Sequence, residues 1–391
     1  MSLVEAVRAA APALAAEDAA GAEQRRLTDV AWKQLNETGV LRALQPARWG
    51  GGEVPLAEFL DAVVEVGRAN PAAGWVTAVV GVHPWQIALF PERTQQEIWG
   101  EKPDRAIASS YTPTGRIERV DGGYRVSGRW SFSSGSLHCD GVILGGIAGT
   151  REWNGHDVAD FTSVILDREQ YRIEDTWHTA GLAATGSNDI VVDELFVPEH
   201  RGQSHVDYTY HLGAPLPGRE LNSGALYRLP WAVVFNLIIA AGALGAAQGF
   251  VDEWVKATRT RRSNYGGMLR DDALIQNHLA ENLYAVDAGL LKLRRAAVEL
   301  TETAEAGEWP SREARAFYRY DVARAAQEAG AAVTRLMRAS SGRVAYLDHP
   351  LHRRFQDVTA AVGHAFLLAD PLGQAFSALH LGAEDRPGVH L

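Results

Sequence analysis

A hydroxyl-rich strand end carries the clearest chemical signal in this sequence. Alternating residues 116–120 and 124–130 flank an Asp-Gly-Gly turn, which predicts a β-hairpin because glycine supplies the positive φ of tight turns. The second strand ends in aromatic, hydroxyl and glycine residues: Trp130, Phe132, Ser133, Ser134 and Gly135. Flat rings and hydroxyls together suit the edge of an organic cofactor. A Ser-rich strand end with satisfied hydroxyls has the same composition.

Two further positions have chemical potential. Thr185, Gly186 and Ser187 form a polar, glycine-bearing turn between two predicted strands, where a ligand could be met. His83 precedes Pro84, and a residue before proline is disfavoured in a helix. His83 is therefore predicted at a break in an otherwise apolar helical segment. A packed core histidine and a catalytic histidine both fit that position.

The composition restricts the class of protein. The 391 residues are 46% hydrophobic and 22% charged, which predicts a soluble globular chain of several domains. A formal net charge of −10 without a basic stripe argues against nucleic-acid and anionic-membrane partners. The single cysteine excludes intrachain disulfides and Cys-rich metal sites, and it fits a reducing cytoplasm.

Two patterns could be misinterpreted. Residues 231–250 approach transmembrane length, but Asn236, Gln248 and many small residues favour a buried helix that its neighbours approach closely. His349 and His352 could share a helix face, but Pro350 lies between them and no H-E-x-x-H pattern exists, so no metal site is predicted.

The periodicity predicts an α+β multidomain chain. An N-terminal helical domain covers residues 1–105, a middle small β-barrel or sandwich covers 106–215, and a C-terminal four-helix bundle covers 216–391. Proline, acidic and glycine boundaries place the bundle helices at about Pro230–Arg262, Asp271–Ala306, Ser311–Ser340 and Leu351–Ala369.

Motifs along nearly the whole chain carry a family resemblance. They include Gln45-Pro46, Gly81-Val82-His83-x-Trp85, Ser109-Ser110-Tyr111, Trp130-x-Phe132-Ser133-Ser134-Gly135, Thr185-Gly186-Ser187-Asn188 and Phe355-x-Asp357-Val358…His364. With this domain order, the chain resembles the acyl-CoA dehydrogenase fold: an N-terminal helical domain, a middle small β-barrel and a C-terminal four-helix bundle. Within that fold it resembles the flavin-dependent monooxygenases that are oxygenase components of two-component systems.

The resemblance implies roles for individual residues. His83 contacts the substrate phenol, Ser109 and Trp85 line the same pocket, and His364 lies beside the oxygen adduct of the flavin. One serine of the Ser133-Ser134 pair reaches flavin N5. The implied catalytic residues are His83, Ser134 and His364. The implied flavin-binding residues are Trp130, Phe132, Ser133, Ser134, Thr185, Gly186, Ser187 and Arg262, the last often serving a neighbouring subunit.

The resemblance also implies the reaction. Reduced FMN, with reduced FAD as the alternative, reacts with O₂ to give a flavin C4a-hydroperoxide that hydroxylates an aromatic or phenolic substrate. A separate NAD(P)H:flavin reductase supplies the reduced flavin, and the oxygenase is a cytoplasmic homotetramer. N-oxygenation of an amine, amino sugar or indole is an alternative, as is an acyl-CoA dehydrogenase-like or non-catalytic flavoprotein. Residues 360–364 lack the glutamate base of true dehydrogenases.

Overall fold

Helices form the first hundred residues of the computed structural model, which describes residues 1–153, 155–210, 216–263 and 266–383. They are α1 (Leu3–Ala16), α2 (Asp18–Gln24), α3 (Asp29–Thr38), α4 (Leu56–Ala69), α5 (Pro71–Gly81), α6 (His83–Ile87) and α7 (Glu92–Trp99). Asn70 caps α5 by accepting a 3.0 Å hydrogen bond from the Ala73 N–H. The predicted helix break next to His83 is present and lies at Val82, between the end of α5 at Gly81 and the start of α6 at His83.

Two four-stranded sheets follow. Their strands are β1 (Ile107–Ser110), β2 (Arg116–Val120), β3 (Gly123–Ser133), β4 (Gly141–Trp153), β5 (His156–Asp167), β6 (Arg172–Glu174), β7 (Asn188–Pro198) and β8 (Gly202–Ser204). The sheet orders are β1-β4-β5-β8 and β2-β3-β7-β6. The predicted hairpin is confirmed, since Val120 pairs with Gly123 and Gly122 adopts φ 73°. The three-residue strand β8 had no recognisable signal in the sequence.

The remaining helices are α8 (His205–Tyr210), α9 (Pro217–Leu221), α10 (Trp231–Arg259), α11 (Ala273–Glu305), α12 (Arg312–Arg338), α13 (Pro350–Val362) and α14 (Ala369–His380). Helix α10 packs against α4, α5, α11, α12 and α13. Its most apolar 18-residue window is 94% buried, as expected for a core helix. Gly67 and Gly245 allow α4 and α10 to touch, because a Cβ on Gly67 would lie 3.3 Å from the Gly245 Cα. The boundary predicted at residue 215 lies outside the described residues.

The prediction of one continuous helix over Leu351–Ala369 is wrong. Helix α13 ends at Val362, a 3₁₀ turn covers Ala365–Leu367, and α14 begins at Ala369. The His364 ring accepts a hydrogen bond from the Phe366 N–H and caps the new turn. A backbone N–H held by a side chain in this way is not available to a helical carbonyl. His364 therefore lies in a turn between two helices.

Candidate active site

Six side chains from distant segments meet in one largely buried group, called here the aromatic cluster: His83, Tyr111, His205, Trp231, Phe235 and Phe366. The Trp231 and Phe235 rings stack with centroids 4.1 Å apart, and His205 meets Trp231 at 4.4 Å. Tyr111 contacts both Trp231 and Phe235 at 5.4 Å. The cluster thus lies where the N-terminal helices, the sheets and α10 come together.

His83 presents a hydrogen-bond acceptor to this cluster. Its Nδ1 lies 2.5 Å from the Ile107 carbonyl oxygen. A carbonyl only accepts, so Nδ1 carries the hydrogen and Nε2 keeps its lone pair. Complete burial lowers the pKa of His83 to about 4, the Ile107 bond opposing this only in part, so the ring is neutral at physiological pH. His83 is therefore arranged to take a proton at Nε2.

His364 has the opposite tautomer. Its Nδ1 accepts from the Phe366 N–H at 3.2 Å, so a neutral ring must carry its hydrogen on Nε2. Desolvation lowers the pKa of His364 to about 4, and the Trp75 and Phe366 rings lie 5.4 and 5.8 Å away. Asn236 donates to the Phe366 carbonyl and supports the turn. His364 is therefore a neutral donor at Nε2.

Polar atoms without partners gather at the aromatic cluster. Within the described part of the chain, His83 Nε2, Gln86 Nε2, Tyr208 Oη and Trp231 Nε1 are buried and make no hydrogen bond. The second polar atom of Gln86 is used, since Oε1 accepts from the Tyr111 hydroxyl at 2.6 Å. Leaving a buried polar atom unpaired costs about 1–3 kcal/mol. A ligand that enters between these rings and pairs with them would recover part of that cost.

The predicted strand end and the predicted polar turn do meet in space. The Ser134 and Ser187 hydroxyl oxygens are 2.7 Å apart, and those of Ser187 and Thr185 are 2.6 Å apart. The Thr185 hydroxyl donates to the Leu182 carbonyl at 2.8 Å. Gly186 (φ 54°) makes the bend between Thr185 and Ser187. We call the chain Thr185–Ser187–Ser134 the hydroxyl relay.

The Leu182 peptide fixes one end of the hydroxyl relay. Leu182 adopts φ 52°, a strained conformation for a residue with a side chain. Its N–H donates to Asp357 Oδ1 of α13 at 2.6 Å, and its carbonyl also accepts from Trp177 Nε1 at 2.9 Å. Burial and the nearby Asp18 raise the pKa of Asp357 to about 7, while the Leu182 bond and the cations of Arg354 and Arg353 oppose that rise. The bundle thereby holds the polar turn in place.

The surroundings of the hydroxyl relay fit a flavin. Phe132 is 63% exposed at φ 68°, and its ring meets Trp177 edge-on at 6.0 Å. A ring held outward by an unfavourable φ offers a flat surface to an aromatic ligand. Ser133 Oγ, beside it, is buried without a partner in the described part of the chain. An exposed ring, a free hydroxyl and the hydroxyl relay match the flat face and polar edge of an isoalloxazine.

Ser109 and Trp85 border the aromatic cluster. The Ser109 side chain lies beside the Tyr111 phenol. Burial raises the pKa of Tyr111, and the contacts of its hydroxyl with Ser109 and Gln86 oppose that rise. The Trp85 ring lies 6.4 Å from Phe235, while its N–H donates to the Leu226 carbonyl at 2.7 Å. The Trp85 N–H is therefore already paired, and only the ring is left for other contacts.

Other candidates lie apart from these groups. Trp130 is fully buried between the sheets, and its N–H donates to the Gly145 carbonyl at 2.8 Å, so the structure uses it in packing. Arg262 is exposed after α10, where it donates to the Gly266 carbonyl. The metal candidates His349 and His352 contact backbone atoms of Leu351 and Val344. No group of three or more potential metal ligands exists among the described residues.

Several residues of the site had no role in the sequence interpretation. Tyr111 and Asp357 lie inside the motifs given above, and Trp231 begins the apolar run 231–250, so both signals were available. Trp177 follows strand β6 by three residues and carried no such signal, nor did His205, whose Nε2 lies 2.6 Å from the Ser163 hydroxyl.

Comparison with known proteins identifies the family and the fold of the chain. The family model of the acyl-CoA dehydrogenase C-terminal domain matches residues 237–368. The flavin-dependent monooxygenase oxygenase subunit HsaA of Rhodococcus jostii (strain RHA1) is 36% identical over 343 residues, covering 87% of this chain and 88% of that protein. The oxygenase component of FADH(2)-dependent resorcinol hydroxylase of Rhizobium sp. (strain MTP-10005) is 30% identical over 377 residues, covering 93% and 90%.

Solved structures extend the similarity to the whole fold. The crystal structure of 3-HSA hydroxylase from Rhodococcus sp. RHA1 superposes with a TM-score of 0.91 at 32% identity, covering 99% of this chain and 98% of that one. The chain therefore belongs to the flavin-dependent monooxygenases, as an oxygenase subunit with an acyl-CoA dehydrogenase-like fold.

Proposed function

We propose that this chain hydroxylates a phenolic ring with reduced flavin and O₂, the reduced flavin coming from a separate NAD(P)H-dependent reductase. The observation that carries the proposal is the pair of neutral histidines with opposite tautomers, one accepting and one donating at Nε2. The related resorcinol hydroxylase, named for a phenolic substrate and FADH₂, supports the same chemistry. We propose reduced FMN as the cofactor, with FAD as the variant to compare.

In this proposal, His83 serves the substrate, and His364 and the hydroxyl relay serve the flavin. Bound reduced flavin activates O₂ for transfer of one oxygen atom to an electron-rich ring. His83 Nε2 accepts the proton of the substrate phenol, and the phenol ring becomes more nucleophilic as that proton leaves. His364 donates a hydrogen bond from Nε2 on the flavin side. The hydroxyl relay, Ser133, Phe132 and Trp177 hold the flavin, and the aromatic cluster keeps water away.

The test is oxygen labelling. The protein with chemically reduced FMN or FAD, ¹⁸O₂ and a panel of phenols should yield a hydroxylated phenol carrying one ¹⁸O atom. Arms with an amine, an amino sugar and indole separate N-oxygenation from ring hydroxylation. Omitting the reduced flavin and adding NADH alone should yield no product. Unlabelled product, or NADH consumption without a reductase, would contradict the proposal.

We also propose that the protein is a cytoplasmic homotetramer. Each subunit would consist of three domains, with boundaries after residues 105 and 215. Helix α11 supports the assembly, because exposed apolar side chains recur every seven residues at Tyr284, Leu291 and Val298. Such a spacing places them on one face, as at helix–helix contacts. Arg262, exposed between α10 and α11, is then available to the flavin of a neighbouring subunit.

Charge on that face should break the assembly. Leu291→Glu combined with Tyr284→Glu is expected to shift the tetramer to smaller species in light scattering, because burying two carboxylates in an apolar contact is costly. Val30→Glu, at an exposed apolar position of α3, is the matched control and should stay tetrameric. A wild-type monomer that binds reduced flavin would refute the tetramer.

A further inference from the structure

The hydroxyl relay has a direction that follows from counting its hydrogen atoms. Each hydroxyl owns one hydrogen, and the Leu182 carbonyl can only accept, so Thr185 spends its hydrogen there. The 2.6 Å contact between Thr185 and Ser187 must then use the hydrogen of Ser187. The 2.7 Å contact between Ser187 and Ser134 must use the hydrogen of Ser134. Ser134 Oγ is left with lone pairs and nothing to donate.

The relay is protected from rearrangement. Thr185, Ser187 and Ser134 are 1%, 3% and 7% exposed, so water has little access to supply a substitute donor. The Leu182 carbonyl at its end is held in place, because its oxygen also accepts from Trp177 Nε1–H and from the Thr185 backbone N–H, and Asp357 accepts from the N–H of Leu182. The direction of the relay is thus set by a fixed backbone acceptor.

A flavin changes its hydrogen-bonding at N5 with its redox state. Reduced flavin carries a hydrogen on N5 and can donate it, whereas N5 of oxidised flavin has only a lone pair. A serine that can only accept therefore pairs with the reduced form and repels the oxidised form. We propose that Thr185 and Ser187 hold the single hydroxyl hydrogen of Ser134 away from the flavin, so that Ser134 Oγ can only accept from N5–H and the relay discriminates reduced from oxidised flavin. The proposal rests on the proposed function, because it requires that a flavin binds here.

This selectivity has a consequence for the reaction cycle. Oxidised flavin formed at the end of turnover meets a site that no longer matches it and leaves, and reduced flavin from the reductase replaces it. Thr185 and Ser187 act through Ser134 and are positioning residues. Their effect should appear in the ratio of the Kd for oxidised flavin to the Kd for reduced flavin. General damage to the fold would not change that ratio in a defined direction.

The test is a set of anaerobic equilibrium titrations with reduced FMN and, separately, oxidised FMN. Thr185→Val and Ser187→Ala each free a hydrogen, so Ser134 can rotate and donate to oxidised N5. Both variants should bind oxidised FMN more tightly than wild type, and the ratio of the two Kd values should fall about tenfold, the size of one net hydrogen bond. Thr185→Ser restores the hydroxyl and should restore the ratio.

Ser136→Ala is the matched control, because it removes a buried hydroxyl of the same strand-end loop that makes no hydrogen bond in the described part of the chain. It should keep the wild-type ratio. Equal weakening of both flavin forms in Thr185→Val and Ser187→Ala, an unchanged ratio, or a Thr185→Ser variant that behaves like Thr185→Val would overturn the relay proposal. Failure of wild type to bind either form would instead refute the proposed function.

Discussion

His364→Ala is expected to release most of the reacting oxygen as hydrogen peroxide instead of hydroxylated product. The wild-type ring is a neutral donor at Nε2, because Nδ1 is held by the Phe366 N–H and desolvation lowers the pKa of the ring to about 4. Loss of a donor aimed at developing negative charge costs about 2.7–4 kcal/mol. The ratio of product to peroxide should therefore fall about 10²-fold or more, measured as both products per reduced flavin consumed in single turnover.

Two variants make this result specific. His364→Asn retains an oxygen that can accept from the Phe366 N–H and an amide that can donate, so it should recover part of the coupling. His380→Ala removes an exposed histidine of α14 and should couple like wild type. Reduced-flavin affinity should change little in all three. A His364→Ala enzyme with wild-type coupling would remove this residue from the mechanism.

His83→Ala is expected to lose hydroxylation rate by about 10²-fold at neutral pH, the usual size of a general-base contribution. The rate should rise again with pH toward the pKa of the phenol, about 10, because solvent then supplies the phenolate. In wild type, the hydroxylation rate should instead depend on pH only under acidic conditions. A base with a pKa of about 4 is neutral above that value, so the contribution of His83 is lost only as the pH falls toward 4.

The measurement is the single-turnover rate of product formation across pH for wild type and both histidine variants. His364→Ala serves as the control, because the role proposed for His364 lies on the flavin side and an ionised phenol should not repair its loss. Substrate affinity of His83→Ala, measured without flavin, separates a binding defect from a chemical one. If the rate of the His83→Ala variant does not depend on pH, then His83 has a structural role in the aromatic cluster and does not accept the phenol proton.

Local signals in the sequence were sufficient for much of the fold. The Asp-Gly-Gly turn, the Asn70 cap with Pro71 and the break before Pro84 each depend on residues close together in the chain, and all three are confirmed. The apolar, glycine-bearing run of α10 was correctly predicted as a buried helix, because small residues permit the close approach seen between Gly67 and Gly245. The continuous fourth helix failed because a side chain, His364, took the Phe366 N–H from the backbone.

By itself, the sequence determined which residues could do chemistry here, since the two histidines and the serines were evident from type and motif. Only the tertiary structure decided what each can do. The tautomer of His83 depends on a carbonyl 24 residues away, and the direction of the hydroxyl relay depends on contacts between residues 53 positions apart. Hydrogen bonds fix where each proton lies, and their partners are brought together by packing that no local pattern encodes.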